Sequence, residues 1–412
     1  MRRWWLISWL ILAPAVPAGT QTIPDPSEAP LWHTAARGRG VPAVRGDRVF
    51  ALTSHHDLVA LALDDGRELW RRSTHERGTF TEGTRVLVSG DTVIAGDWDI
   101  YAFHADTGEA AWNFHPGEGY GPGMFLGAVS SGRVFSGSPA GALYAVDAAT
   151  GRQVWRAVVE PVTNDKLTTV FAPVVNDALV VAGYTQFGAP DRGGLIAVDA
   201  GTGRERWRFR FPSRPDDLRG VYWAGGIALT TDLAIGAASD GTIWAVDLAT
   251  GTSRWSIPPL EGPFDGIIRS AVLELRGLAV AGDRLIVGSL TGYLTAYDLS
   301  TRREIWRVEK GWLGSLSWST YTVADGVAYV PWWSGFLLAI DVKTGLVLWE
   351  TQNHQLGLSA PPAVAGERVI AAGSSGFWAF PAARVPESQP STARPTGGLI
   401  PNKECLRCDG PQ

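Results

Sequence analysis

The chain has 412 residues, of which 45% are hydrophobic and 19% charged, with a formal net charge of −5. That acidic balance argues against a nucleic-acid partner, which requires a basic stripe. Only two cysteines occur, Cys405 and Cys408, both close to the C-terminus.

Met1–Ala18 reads as a secretory leader, with Arg2 and Arg3 as its basic end, Trp4–Val16 as its apolar core and Val16-Pro17-Ala18 as small residues for cleavage near Ala18. A membrane anchor needs about 20 apolar residues, and Pro14 and Pro17 interrupt this run. No cysteine follows it to accept a lipid. The mature chain is therefore expected to be exported, to a periplasm or the extracellular space, without a transmembrane span. Losing Arg2 and Arg3 would move the net charge to −7. Residues 19–30 form a short Pro-containing lead-in.

From residue 31 to 383 the sequence repeats. The phrase LYAVDAATGRQVW, ending at Trp155, returns with variations ending at Trp70, Trp112, Trp207, Trp255, Trp306 and Trp349. An eighth copy begins at Phe377 and stops, and Trp32 at the other end of the chain supplies its tryptophan. A period of roughly 40–50 residues made of short strands and tight turns predicts a β-propeller. Each phrase reads as two strands and their turn. A strand–turn–strand pattern such as Phe171–Gly183 or Leu278–Gly292 precedes it, which gives four strands per blade. The expectation is an all-β, eight-bladed propeller of four-stranded antiparallel blades, closed by pairing the N-terminal strand with the C-terminal ones. An open ring would expose two unpaired blade faces.

The turn inside the phrase has its own chemistry. Gly66, Gly108, Gly151, Gly203, Gly251 and Gly345 stand four residues before the tryptophans, where a hairpin loop needs a left-handed residue. One copy carries Arg302 there, which predicts a strained or differently shaped turn. Asp147, Asp199, Asp247, Asp298 and Asp341 open the turn and can accept its amide protons, whereas Ala62 and His104 depart from that rule. Alanine holds in every copy, from Ala60 to Ala379, and is read as the small residue that admits a neighbouring ring. Trp32, Trp70, Trp112, Trp155, Trp207, Trp255, Trp306 and Trp349 are assigned as wedges between blades, each stabilising by a few kcal/mol.

Successive wedge tryptophans lie 38, 42, 43, 52, 48, 51 and 43 residues apart. The extra length falls at Glu160–Leu167, Tyr184–Arg192, Phe211–Gly220 and Ile257–Gly277. Strand alternation puts all four on one face, the place where binding residues usually sit. Trp98, Phe187, Tyr222, Trp223, Phe264, Trp312, Trp318, Trp332 and Trp333 lie in or beside that face, with Arg219 and Arg269 as charged candidates. They are read either as an aromatic recognition patch near the axis or as packing under the loops. Trp244 and Trp378 occupy a strand position and are read as structural.

None of the seven histidines shows a metal spacing, and His55-His56 is read as a solvated turn. No catalytic residue is assigned. Residues 384–412 are read as a disordered tail. Its Cys405-Leu406-Arg407-Cys408 is read as a local disulfide or two plain thiols, because no second ligand pair is near.

The pattern A-x-D-x-x-T-G-x-x-x-W, as in Ala145, Asp147, Thr150, Gly151 and Trp155, resembles the repeat of pyrroloquinoline-quinone (PQQ) propellers. One branch, the quinoprotein dehydrogenases, implies a quinone and Ca²⁺ on the axis. The other resembles the BamB outer-membrane assembly factors and implies a non-enzymatic scaffold with no cofactor. The chain is read as the second: an exported, monomeric platform that binds a protein partner in the cell envelope. A PQQ-binding enzyme or sensor and a carbohydrate-binding propeller are the alternatives.

Overall fold

In the computed structural model the described residues are 27–74, 85–117, 123–160, 167–187, 193–212, 223–258, 275–289, 292–309, 321–332, 335–351, 356–358 and 360–386. Their strands form eight sheets, and the chain is an eight-bladed β-propeller lying within Pro24–Val385. Among the described residues no helix is long and apolar enough to cross a membrane. Residues 1–18, read above as a leader, and residues 387–412, with both cysteines, lie outside the described residues, whereas Arg384 at the start of the predicted tail pairs with Glu367.

The third blade shows the plan. Phe125–Ser130, Arg133–Gly137, Ala142–Asp147 and Gln153–Val158 pair in that order from the axis outward, each antiparallel to the last. The two middle strands are buried along nearly their whole length because a blade lies against each of their faces, which explains the consecutive apolar residues. The innermost strands of successive blades touch one another around a closed cycle. Closure is as the sequence predicts: Trp32–Thr34 is the outermost strand of the eighth blade, with Trp32 opposite Ala379. One element was not foreseen. Ser27–Glu28 adds a fifth, parallel strand to the outer edge of the seventh blade, opposite Glu350 and Thr351.

The wedges follow one geometry. Trp155 pairs across strands with Ala145 of its own blade, and the same alanine–tryptophan register recurs in all eight sheets. The strand bulges at the residue just before the tryptophan in the seven complete phrases, as at Val154. Such a bulge re-aims the side chain. The indole then reaches the next blade and lies on that blade's turn glycine, where a Cβ at Gly66, Gly108, Gly151, Gly203, Gly251 or Gly345 would come within 2.5–2.7 Å of it. The small residue that receives the neighbouring ring is thus the turn glycine. The alanine instead faces the tryptophan of its own blade.

Six indoles also donate Nε1–H to a carbonyl of the next blade's turn: Trp32 to Leu63, Trp70 to Ala105, Trp112 to Ala148, Trp155 to Ala200, Trp207 to Leu248 and Trp306 to Val342, at 2.8–3.1 Å. No such bond is found for Trp255 or Trp349 among the described residues. Trp255 faces the turn with Arg302, whose φ of 61° shows that the turn keeps its shape by holding a non-glycine residue left-handed. Trp349 faces the eighth blade, where the phrase stops before any turn, and its buried Nε1 has no partner.

The aspartates do what their position predicts. Asp147 Oδ1 accepts from the amides of Ala149 and Thr150 and from the Thr150 hydroxyl at 2.8–3.1 Å. The turns led by Ala62 and His104 keep the same backbone bond to their glycine, at 2.9 and 2.7 Å, so the aspartate reinforces a shape that the glycine sets.

Candidate functional site

Antiparallel alternation places the first-to-second and third-to-fourth turns of every blade on one face. The second-to-third turns and the crossovers to the next blade share the other. The wedge turns lie on the first face and the expanded connections on the second. Most residues of 160–167, 184–192, 211–220 and 257–277 lie outside the described set. The fourth blade shows what part of this expansion becomes. Leu179–Phe187 and Gly193–Asp199 are long strands, and Leu167–Val170 pairs with Tyr184–Phe187 at their far end. The predicted loops at 160–167 and 184–192 are therefore partly strand, built from β-branched residues that suit a pleated surface. Leu167 at its rim is 52% exposed.

Of the aromatic candidates, Trp98 is presented on this face. It sits in the second-to-third turn of the second blade, is 37% exposed, and stands between two anchored acids. Asp97 is buried, and its Oδ2 lies 2.6 Å from His56 Nδ1, 3.4 Å from Arg39 Nη2 and 3.3 Å from Thr74 Oγ1. A carboxylate only accepts, so His56 carries its proton on Nδ1. The Thr74 hydroxyl is closer to the His56 carbonyl, at 2.8 Å. Burial pulls the Arg39 guanidinium down to about 10 against the opposing pull of Asp97. On the other side of Trp98, Asp99 accepts from His115 Nδ1 at 2.7 Å and from Asn113 Nδ2 at 3.2 Å. Burial first, and then Asp99 and Asp97, push the Tyr101 phenol upward.

His56 is thus not the solvated residue expected. It is buried, has a φ of 63°, and ties the first blade to the second through Asp97. Sequence reading missed this network because its members, Arg39, His56, Thr74 and Asp97, come from two blades and share no spacing.

The other candidates divide. Trp332 is 1% exposed and stacks on Phe336 at 5.6 Å, so it packs beneath the face and is not presented on it. It belongs to the seventh blade and Trp98 to the second, so the described residues do not bring the two together. The backbones of Phe187 and Trp223 lie in strands of the fourth and fifth blades, opposite Leu167 and Ala238. Arg219, Tyr222, Phe264, Arg269, Trp312, Trp318 and Trp333 lie outside the described residues. Trp378 is structural, as expected, stacked on His33 at 5.1 Å. Calcium takes about six to eight oxygen ligands, and among the described residues no three His, Cys, Asp or Glu side chains converge.

Comparison with known proteins places this architecture. The family model described as outer membrane protein assembly factor BamB matches residues 25–99, 96–264 and 239–382. The outer membrane protein assembly factor BamB of Bordetella pertussis is 24% identical over 356 residues, covering 75% of this chain and 86% of that protein. The quinohemoprotein alcohol dehydrogenase of Comamonas testosteroni is 32% identical over 145 residues, but the match covers 32% of this chain and only 20% of the dehydrogenase. The crystal structure of BamB from Moraxella catarrhalis superposes with a TM-score of 0.60 at 15% identity, over 84% of this chain and 99% of that one, a likeness of fold. The chain belongs to the family described as outer membrane protein assembly factor BamB.

Proposed function

We propose that the chain is a non-enzymatic scaffold of the cell envelope that docks a protein partner in outer-membrane protein assembly. The observation that carries this reading is one-sided elaboration. The face of the wedge turns is held to a single short design. The opposite face carries the expanded connections, the raised strands of the fourth blade with exposed Leu167, and exposed Trp98 next to the anchored Asp97. Exposed aromatic and aliphatic residues on a rigid frame suit a protein interface. Family membership and the long matches to assembly factors support the same direction.

The test is capture of outer-membrane assembly components from solubilised envelopes by the immobilised chain. Replacing Trp98, Trp223 and Trp318 with alanine should weaken capture, while circular dichroism and the melting temperature stay close to those of the parent. Undiminished capture by the triple variant contradicts the reading. The short, more identical match to a quinohemoprotein dehydrogenase favours a second reading, a PQQ-binding enzyme or sensor. Titration with PQQ and Ca²⁺, read by tryptophan fluorescence, discriminates: saturable quenching supports the second reading and a flat response supports the first.

A further inference from the structure

The first and second blades meet near the axis in a parallel bridge between Val41 and Arg85. Arg85 enters the innermost strand of the second blade, and its Nη1 donates to the Gly127 carbonyl on the innermost strand of the third, at 3.0 Å. The guanidinium therefore spans the layer nearest the axis, at the end where the chain enters from the elaborated face. The residue keeps some contact with solvent, but its Nε is buried and has no hydrogen-bond partner. No carboxylate pairs with it among the described residues, and burial alone pulls its pKa down.

Arg39, on the adjacent innermost strand, makes the comparison. The chain supplies Arg39 with a carboxylate of its own, Asp97, and with the Thr53 carbonyl. Both arginines are partly withdrawn from water, and among the described residues only Arg39 has a counter-charge. A cation whose Nε is buried without a partner, with one carbonyl for company, is costly to hold. Folds keep such groups where a ligand completes them. A guanidinium is matched by a planar carboxylate.

We propose that Arg85 is a binding residue for a carboxylate group delivered to the axis from the elaborated face, completing there what Asp97 does for Arg39. The carboxylate can come from an acidic side chain of a docked polypeptide or from a small organic acid. The inference does not depend on the scaffold reading, since either source would use the same group.

The test uses the purified full chain at constant ionic strength, with succinate, a tetraglutamate peptide and inorganic phosphate as probes and thermal unfolding as the readout. Succinate or the peptide should raise the melting temperature saturably, and the apparent dissociation constant should rise about tenfold or more in Arg85→Gln. Arg85→Lys, which keeps the charge but loses the fork, should also bind more weakly. A stronger response to the peptide than to succinate assigns the group to a polypeptide, and the reverse assigns it to a small acid. Without probe, Arg85→Gln should melt above the parent, because a cation held for a ligand is a liability when the ligand is absent. An Arg85→Gln protein that melts below the parent, or parent and variant responding equally to the acids, overturns the proposal. A response to phosphate as large as that to the carboxylates overturns the assignment of ligand.

Discussion

Replacing Trp207 and Trp349 separately with phenylalanine tests the wedge mechanism from two sides. Both indoles are buried between blades, at 6% and 5% exposure. Loss of the larger ring costs both variants on the order of 1 kcal/mol. The polar terms then act in opposite directions. Trp207 donates to the Leu248 carbonyl at 2.8 Å, so its replacement leaves a buried acceptor without its donor. That adds about 1–3 kcal/mol of destabilisation. Trp349 Nε1 has no partner, so its replacement removes an unsatisfied donor and recovers a similar amount. Trp207→Phe should lower stability by about 2–4 kcal/mol, while Trp349→Phe should range from unchanged to about 2 kcal/mol more stable than the parent. Urea unfolding followed by circular dichroism reads both as midpoint shifts at unchanged slope. Equal shifts, or a larger loss for Trp349→Phe, would refute the view that turn carbonyls fasten the indoles.

Three further outcomes follow from the turns. Gly251 and Gly46 both have positive φ, at 73° and 60°, but a Cβ on Gly251 would sit 2.5 Å from Trp207 whereas none meets anything within 4 Å at Gly46. Gly46→Ala should cost about 1–2 kcal/mol of backbone strain, and Gly251→Ala several kcal/mol more, as read by urea midpoints. Arg302→Gly should stabilise by about 1 kcal/mol by relieving the left-handed conformation of a residue with a side chain, measured in the same way. Hydrogen bonds from Ser300 and Thr301 hold the Asp298 carboxyl down at about 2. A folded-state pKa below the unfolded value of about 3.9 gives stability that is complete above about pH 4 and is lost as pH falls toward 2. Urea midpoints measured from pH 5 to pH 2 should therefore fall less steeply in Asp298→Asn than in the parent.

Much of the frame was legible because the repeat is written in residue types with strict local demands. Glycine marks the left-handed turn, and the tryptophan four residues later marks the outer strand. The split eighth copy foretold the pairing of Trp32 with Ala379. The alanine was misread because sequence spacing does not say across which gap a residue faces. Only the register and the bulge at positions such as Val154 show that the ring passes its own alanine and lands on the next blade's glycine. The strand at Ser27–Glu28 carries no pattern that could announce it. It exists because the outer edge of the seventh blade is available as the lead-in passes. The candidate site was legible only in part. Trp98 stood out as a surplus aromatic residue, whereas His56, Arg39 and Asp97 come together through the meeting of two blades, which no single stretch of sequence encodes.

The central functional claim is that partners dock on the elaborated face. Site-specific photo-cross-linking tests it most directly, with a photoreactive residue at Trp98 on that face and at Ala149 in a wedge turn on the other, in envelopes that retain their assembly components. Adducts with an outer-membrane assembly protein should form from position 98 and be absent from position 149. Adducts from position 149 alone, or equally from both, would contradict the account.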